Sequence, residues 1–200
     1  MIVVAGIEPH AEFVHWWFAT GFLLLALFMY AEVIVGPEVW ARRPWRRYLW
    51  PGTCFLMGVL MWPVMAFYTN SMIHMVAHGS WAQALMIAGA AELGLVRGKL
   101  QSQWWRITTF VGLVVSGTAL LVHEQNGWFY ARAAFLHHTL GWFVIGASVF
   151  PLVRTFRPRS VIPGAGLATT FAVIAVLLFC DRDVAPIFGH FSQFAGVPHR

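Results

Sequence analysis

Apolar stretches of roughly 20 residues recur along this chain, and short arginine-rich segments separate them in alternation. A run of that length crosses about 30 Å of hydrocarbon as an α-helix. No water reaches the backbone inside a bilayer, so each run must close its own hydrogen bonds, as a helix does. The composition agrees. The chain is 59% hydrophobic and 10% charged, with a mean hydropathy of +0.67, whereas soluble domains carry about 25% charged residues. The expected fold class is all-α, a polytopic membrane protein with the lipid bilayer as its main partner.

Six transmembrane helices are predicted, at about Glu12–Gly36, Leu49–Tyr68, Met72–Val96, Ile107–Val122, Ala131–Val153 and Gly164–Cys180. Together they make one domain over residues 1–200, with little chain outside the bilayer. Arg42, Arg43, Arg46 and Arg47 fill one loop, Arg97, Lys99 and Arg106 a second, and Arg154, Arg157 and Arg159 a third. Short loops rich in Lys and Arg stay in the cytoplasm, so both termini are expected outside, on the periplasmic or extracellular face of the cell membrane. The net charge of +5 therefore reads as orientation, and dispersal over three short loops argues against nucleic acid.

Other features fit these limits. Trp16, Trp17, Trp40, Trp45, Trp50, Trp104, Trp105, Trp128 and Tyr130 fall at the predicted interfaces, where amphipathic rings are favoured. Pro63 is expected to kink the second helix, and Pro151 lies near the inner end of the fifth. Small residues at Ala88–Ala91 and Gly141–Ser148 suit close helix packing. Cys54 and Cys180 lie near opposite faces, too far apart for a disulfide. Met1–Ala11 has no basic residue ahead of its apolar run and does not resemble a cleavable signal peptide. A shift of 57 residues superposes Gly89-Ala90 on Gly146-Ala147 and His123-Glu124 on Cys180-Asp181, a weak repeat of helices three and four in five and six.

The chemistry lies in the histidines. All nine fall at, near or beyond the outer ends of the predicted helices, opposite the arginines. His74 and His78 stand four apart, one turn up the same face of a helix. His123 lies near the outer end of the fourth helix, and His137 and His138 about two turns down the fifth. Facing helices of a bundle are where metal and cofactor sites are built, and ionisable residues are costly in hydrocarbon unless they serve a purpose. His74, His78, His123 and one of His137 and His138 are therefore expected to share a metal or haem site. Neighbours on a helix point about 100° apart, so only one of that last pair faces the centre. His15 is equally readable as an interfacial residue, and His10, His190 and His199 as solvent-facing.

Met57, Met61 and Met65 form an i, i+4, i+8 row on the second helix. Thioethers suit Cu(I), and imidazole suits copper too; ordinary core packing explains the same row. Glu92 falls on the face of His78 and is expected to look inward, where pairing with Arg97 is the simpler role and a place in a proton route the alternative. No phosphate loop, nucleophile elbow or HExxH motif assigns a reaction.

The segment His74-Met75-Val76-Ala77-His78 resembles the outer-face HMxxH pattern of CtaG-type membrane proteins, which are linked to copper supply for haem–copper oxidases. The layout of short-looped spans with outer histidines and methionines is similar to CopD-type copper-resistance and uptake proteins. The likeness covers five residues and a plan, and it implies copper exchanged with a periplasmic carrier. Three readings follow. The first is a copper-handling membrane protein with His74, His78, His123 and His137 or His138 as ligands. The second is a b-type cytochrome, with haem b between histidines such as His78 and His138 and electrons exchanged with quinol. The third is an accessory subunit of a larger respiratory or oxygenase membrane complex.

Overall fold

The computed structural model describes residues 11–68, 72–122, 131–158 and 160–180. Every regular element among them is helical: α1 Ala11–Val35, α2 Pro37–Ala41, α3 Leu49–Tyr68, α4 Met72–Val96, α5 Ile107–Val122, α6 Ala131–Ala147, α7 Val149–Phe156 and α8 Val161–Phe179. Short 3₁₀ turns at Pro44–Tyr48 and Gln103–Arg106 lead into α3 and α5. Four segments are long and apolar enough to cross a membrane: Val14–Val35, Gln103–Val122, Ala134–Phe156 and Val161–Phe179.

The long helices form a closed ring. α1 packs on α3, α3 on α4, α4 on α5, α5 on α6, α6 on α8, and α8 returns to α1 along its length. Direction alternates around it. α1, α4 and α6–α7 start at one end, which carries the histidines; α3, α5 and α8 start at the other, which carries the arginines. α3 and α4 therefore sit between helices apolar enough to span, although α4 itself carries His78, Gln83 and Glu92.

Apolar burial holds the ring. α1 and α8 each bury alanines seven residues apart, Ala19 and Ala26 against Ala168 and Ala175, and small residues of this kind let backbones approach in a bilayer. Phe22 of α1 stacks on Phe171 of α8 at 5.8 Å and meets Trp81 of α4 edge-on at 6.0 Å, a ring layer across the centre. On the arginine side, Trp40 is buried, its indole N–H donates to Arg46 O at 3.1 Å, and the Arg46 guanidinium lies over its ring. That loop is folded on itself.

Two helices depart from expectation by more than one residue. The fifth predicted helix is divided at Ser148 into α6 and α7. Pro151 explains the break: it has no N–H to donate and its ring crowds the carbonyl four residues back, Ala147. The last helix begins at Val161, three residues early, because Pro163 fits a first turn whose N–H groups need no helical partner. α3 continues through Pro63 to Tyr68.

Glycine permits a close backbone contact between α3 and α4. A Cβ added at Gly89 of α4 would stand 2.5 Å from the Phe55 backbone nitrogen of α3. Gly89→Ala should therefore cost about 1–3 kcal/mol through overpacking, read as a lower unfolding midpoint in detergent. Gly146→Ala on α6 meets nothing within 4 Å and should be neutral or slightly stabilising. Equal midpoints for the two variants would contradict this packing.

Candidate metal centre

The ring places three imidazoles at one level. His15 is the fifth residue of α1, and His78 and His137 are the seventh residues of α4 and α6. At about 1.5 Å per residue, all three lie roughly 6–9 Å below their helix starts. These helices are alternate members of the ring and run the same way, so equal depth in sequence becomes equal depth in space. One ring nitrogen from each of His15, His78 and His137 lies within 4.8 Å of the others. The His137 ring stands edge-on to both partners, with centroids 6.2 Å from His15 and 6.0 Å from His78. His137 is buried and the other two are half-buried.

A point central to a triangle of 4.8 Å sides is about 2.8 Å from each corner, and zinc-type or copper-type ions bond imidazole at about 2.0–2.1 Å. Small rotamer movements would close that gap. Three nitrogens leave a fourth position for water or an exchanging ligand, the pattern of open metal sites. Beneath the site lies the Phe22–Trp81–Phe171 layer. Below that layer, a cavity of about 20 Å³ is lined by Cys54, Trp81 and Ser116 among others, room for about one water.

The structure resolves one alternative left open by the sequence. His137 faces the centre, and His138 is exposed on the outer side of α6. His78 and His138 therefore do not face each other as a haem pair. His74 stands in the first turn of α4 with its side chain outside the described residues, and His123 lies outside them altogether. His15, readable from sequence as an interfacial residue, joins the cluster. Its depth was the available signal: it falls in the second turn of a helix parallel to the two others.

Methionine and cysteine fall where the sequence suggested. Met57 and Met61 are buried in the core, and Met57 fills the space above Gly21 of α1; the Met65 side chain lies outside the described residues. Cys54 and Cys180 are both free thiols, the first buried with Sγ donating to Leu85 O at 3.4 Å, the second exposed at the end of α8.

At the arginine end stands a second polar cluster, and it corrects one expected pairing. Glu92 is buried as anticipated, but it binds Arg106 at 2.9 Å and Arg154 at 3.5 Å instead of Arg97, which is exposed. Arg106 also donates to Gln103. The Arg154 guanidinium lies over the Trp50 ring, whose N–H donates to Glu32 at 2.9 Å. α1, α3, α4, α7 and the turn before α5 meet in this network. Arg97 is only five residues beyond Glu92, but it stands just past the end of α4 and is exposed; Arg106 and Arg154 come from segments that the ring brings back.

Removing one member of a buried ion cluster leaves the others uncompensated. Glu92→Gln should cost about 3–5 kcal/mol of stability, measured by denaturant titration in mixed micelles, while Arg97→Ala should stay within about 0.5 kcal/mol. The reverse ranking would overturn the assignment of partners. No protein-family profile, no curated protein and no solved structure matches the chain.

Proposed function

We propose that this is a six-span protein of the cell membrane, with both termini outside, that binds copper near its outer face through His15, His78 and His137. The convergence of three imidazole nitrogens from three separate helices carries this reading. The ring supports six spans: α3 and α4 lie between helices that are long and apolar enough to cross, and ten of the thirteen Lys and Arg gather in the three loops at one end. A three-imidazole set suits copper, and divalent copper binds such nitrogen sites more tightly than zinc does. Met57 and Met61, buried on a helix beside α1 and α4, add soft sulfur one to two turns below the site. A haem plate is the weaker fit, since the third imidazole of the cluster occupies the space beside any two that would clasp it.

In this reading the protein holds copper for exchange at the outer face, with a periplasmic carrier or with a larger membrane complex. Purified protein should take up about one Cu(I) per chain in competition with a chromophoric chelator. His78→Ala and His137→Ala should each weaken binding by about a hundredfold or more, beyond the 10–100-fold typical of an outer-shell partner. His138→Ala should bind as the wild type does. Binding that survives loss of His137, or a stoichiometric haem b whose Soret band depends on it, would replace the copper reading.

Orientation has its own measurement. Cys180 should react with an impermeant thiol reagent added outside intact cells. In a Cys180→Ser chain, a cysteine replacing Arg47 should react only after the cells are opened. Labelling in the opposite sense would invert the topology and move the histidines to the cytoplasmic face.

A further inference from the structure

The polar side chains that face outward from the long helices divide into two groups. On α1 and α8 they are satisfied within the chain. Thr20 donates to Trp16 O at 3.0 Å, and Thr169 donates to Ala165 O at 2.9 Å and shares a 2.7 Å bond with Tyr30 Oη. The exposed side chains of α3, Phe55, Leu56, Val59 and Leu60, are apolar. On the opposite side of the ring, Gln83 of α4, Thr118 of α5 and His138 of α6 are exposed and make no hydrogen bond with any described residue.

Gln83 is the most telling of the three, because it lies at the middle of α4, a helix of 25 residues. At that depth an amide facing lipid has neither water nor protein to bond, and such groups act as glue between helices. The residues around it are spaced as a seam. Val76, Ser80, Gln83, Ile87 and Ala90 follow intervals of 4, 3, 4 and 3, the repeat of helices that supercoil about each other. Val76, Gln83, Ile87 and Ala90 are exposed, and Ser80 is half-buried at the edge. Ser80 and Ala90 are small enough to let a second backbone approach.

We propose that α4 is a homodimer seam, on which a second copy of this chain packs its own α4 about a two-fold axis along the membrane normal, the two Gln83 carboxamides bonding each other at its centre. The inference rests on α4 crossing the membrane with its neighbours. A second copy fits for three reasons. A carboxamide both donates and accepts, so it complements itself. Two copies inserted in the same orientation bring equal residues to equal depth. The two-fold axis makes the helices parallel, which the 4-3 spacing accommodates, and a closed two-fold pair is the commonest assembly.

A photoreactive residue in place of Ile87, which leaves Gln83 intact, tests this in native membranes. The expected product is an adduct of twice the chain mass. Gln83→Leu should lower its yield about threefold, the worth of a typical side-chain bond between helices in a bilayer, and Gln83→Asn should keep most of it. The same probe at Leu60 of α3 should give no adduct. Absence of a self-adduct at Ile87, a self-adduct indifferent to Gln83→Leu, or an adduct with a different polypeptide would each overturn the seam. The six-span reading fails separately: a cysteine replacing Lys99, in a Cys180→Ser chain, would then be labelled from outside.

Discussion

Alternating helix direction around a closed ring is the constraint on which the other features depend. It makes α1, α4 and α6 start at the same end and stand in alternate places, so their second turns converge on the axis. Three histidines scattered over more than a hundred residues of sequence thus become neighbours. The second polar layer fixes the same register from below. Glu92 lies 14 residues after His78, and Glu32 and Arg154 lie 17 residues after His15 and His137. At about 1.5 Å per residue these intervals place the two layers roughly 21–26 Å apart, close to the thickness of the hydrocarbon core.

The two layers answer one energetic problem in different ways. A charge taken from water is costly unless it is paired and bonded. At the arginine end, Glu92 lies between two guanidiniums, and Glu32 accepts from Trp50. At the histidine end, three imidazoles, each with a ring nitrogen able to offer a lone pair, gather from three helices. The apolar layer of Phe22, Trp81 and Phe171 separates the two. Acids and bases are thus paired at one end of the ring, while the imidazole nitrogens are collected at the other.

Most of the helix pattern was legible in sequence because a bilayer leaves so few choices: apolar length sets the helices and arginine sets their ends. α3, α4 and α5 have the expected limits: arginines precede α3 and α5 and follow α4, and the polar run Thr69-Asn70-Ser71 parts α3 from α4. What was not legible depends on rotation and on tertiary return. Sequence fixes that His137 and His138 point about 100° apart, but the choice between them depends on where α6 turns its face, set by Leu136, Leu140 and Val144 in the core. His15 looked like one more interfacial residue until α1 took its place in the ring. The Arg97 pairing was wrong for the same reason: proximity in sequence favoured it, whereas Arg106 and Arg154 reach Glu92 only through the ring.

The separation of the layers also bears on how a metal held at the histidine end would exchange. A cation leaving downward would first meet Phe22, Trp81 and Phe171, which offer no ligand lone pair to replace imidazole. Past them, the Glu92 carboxylate is already bound to Arg106 and Arg154, whose positive charges oppose entry in a medium where charges interact strongly. Upward, the site is only about 6–9 Å from the helix starts, a distance that one or two bridging ligands cover. In the proposed orientation, the asymmetry of charge that sets the chain in the membrane would therefore also favour exchange at the outer face, where a carrier or a neighbouring complex could approach the site.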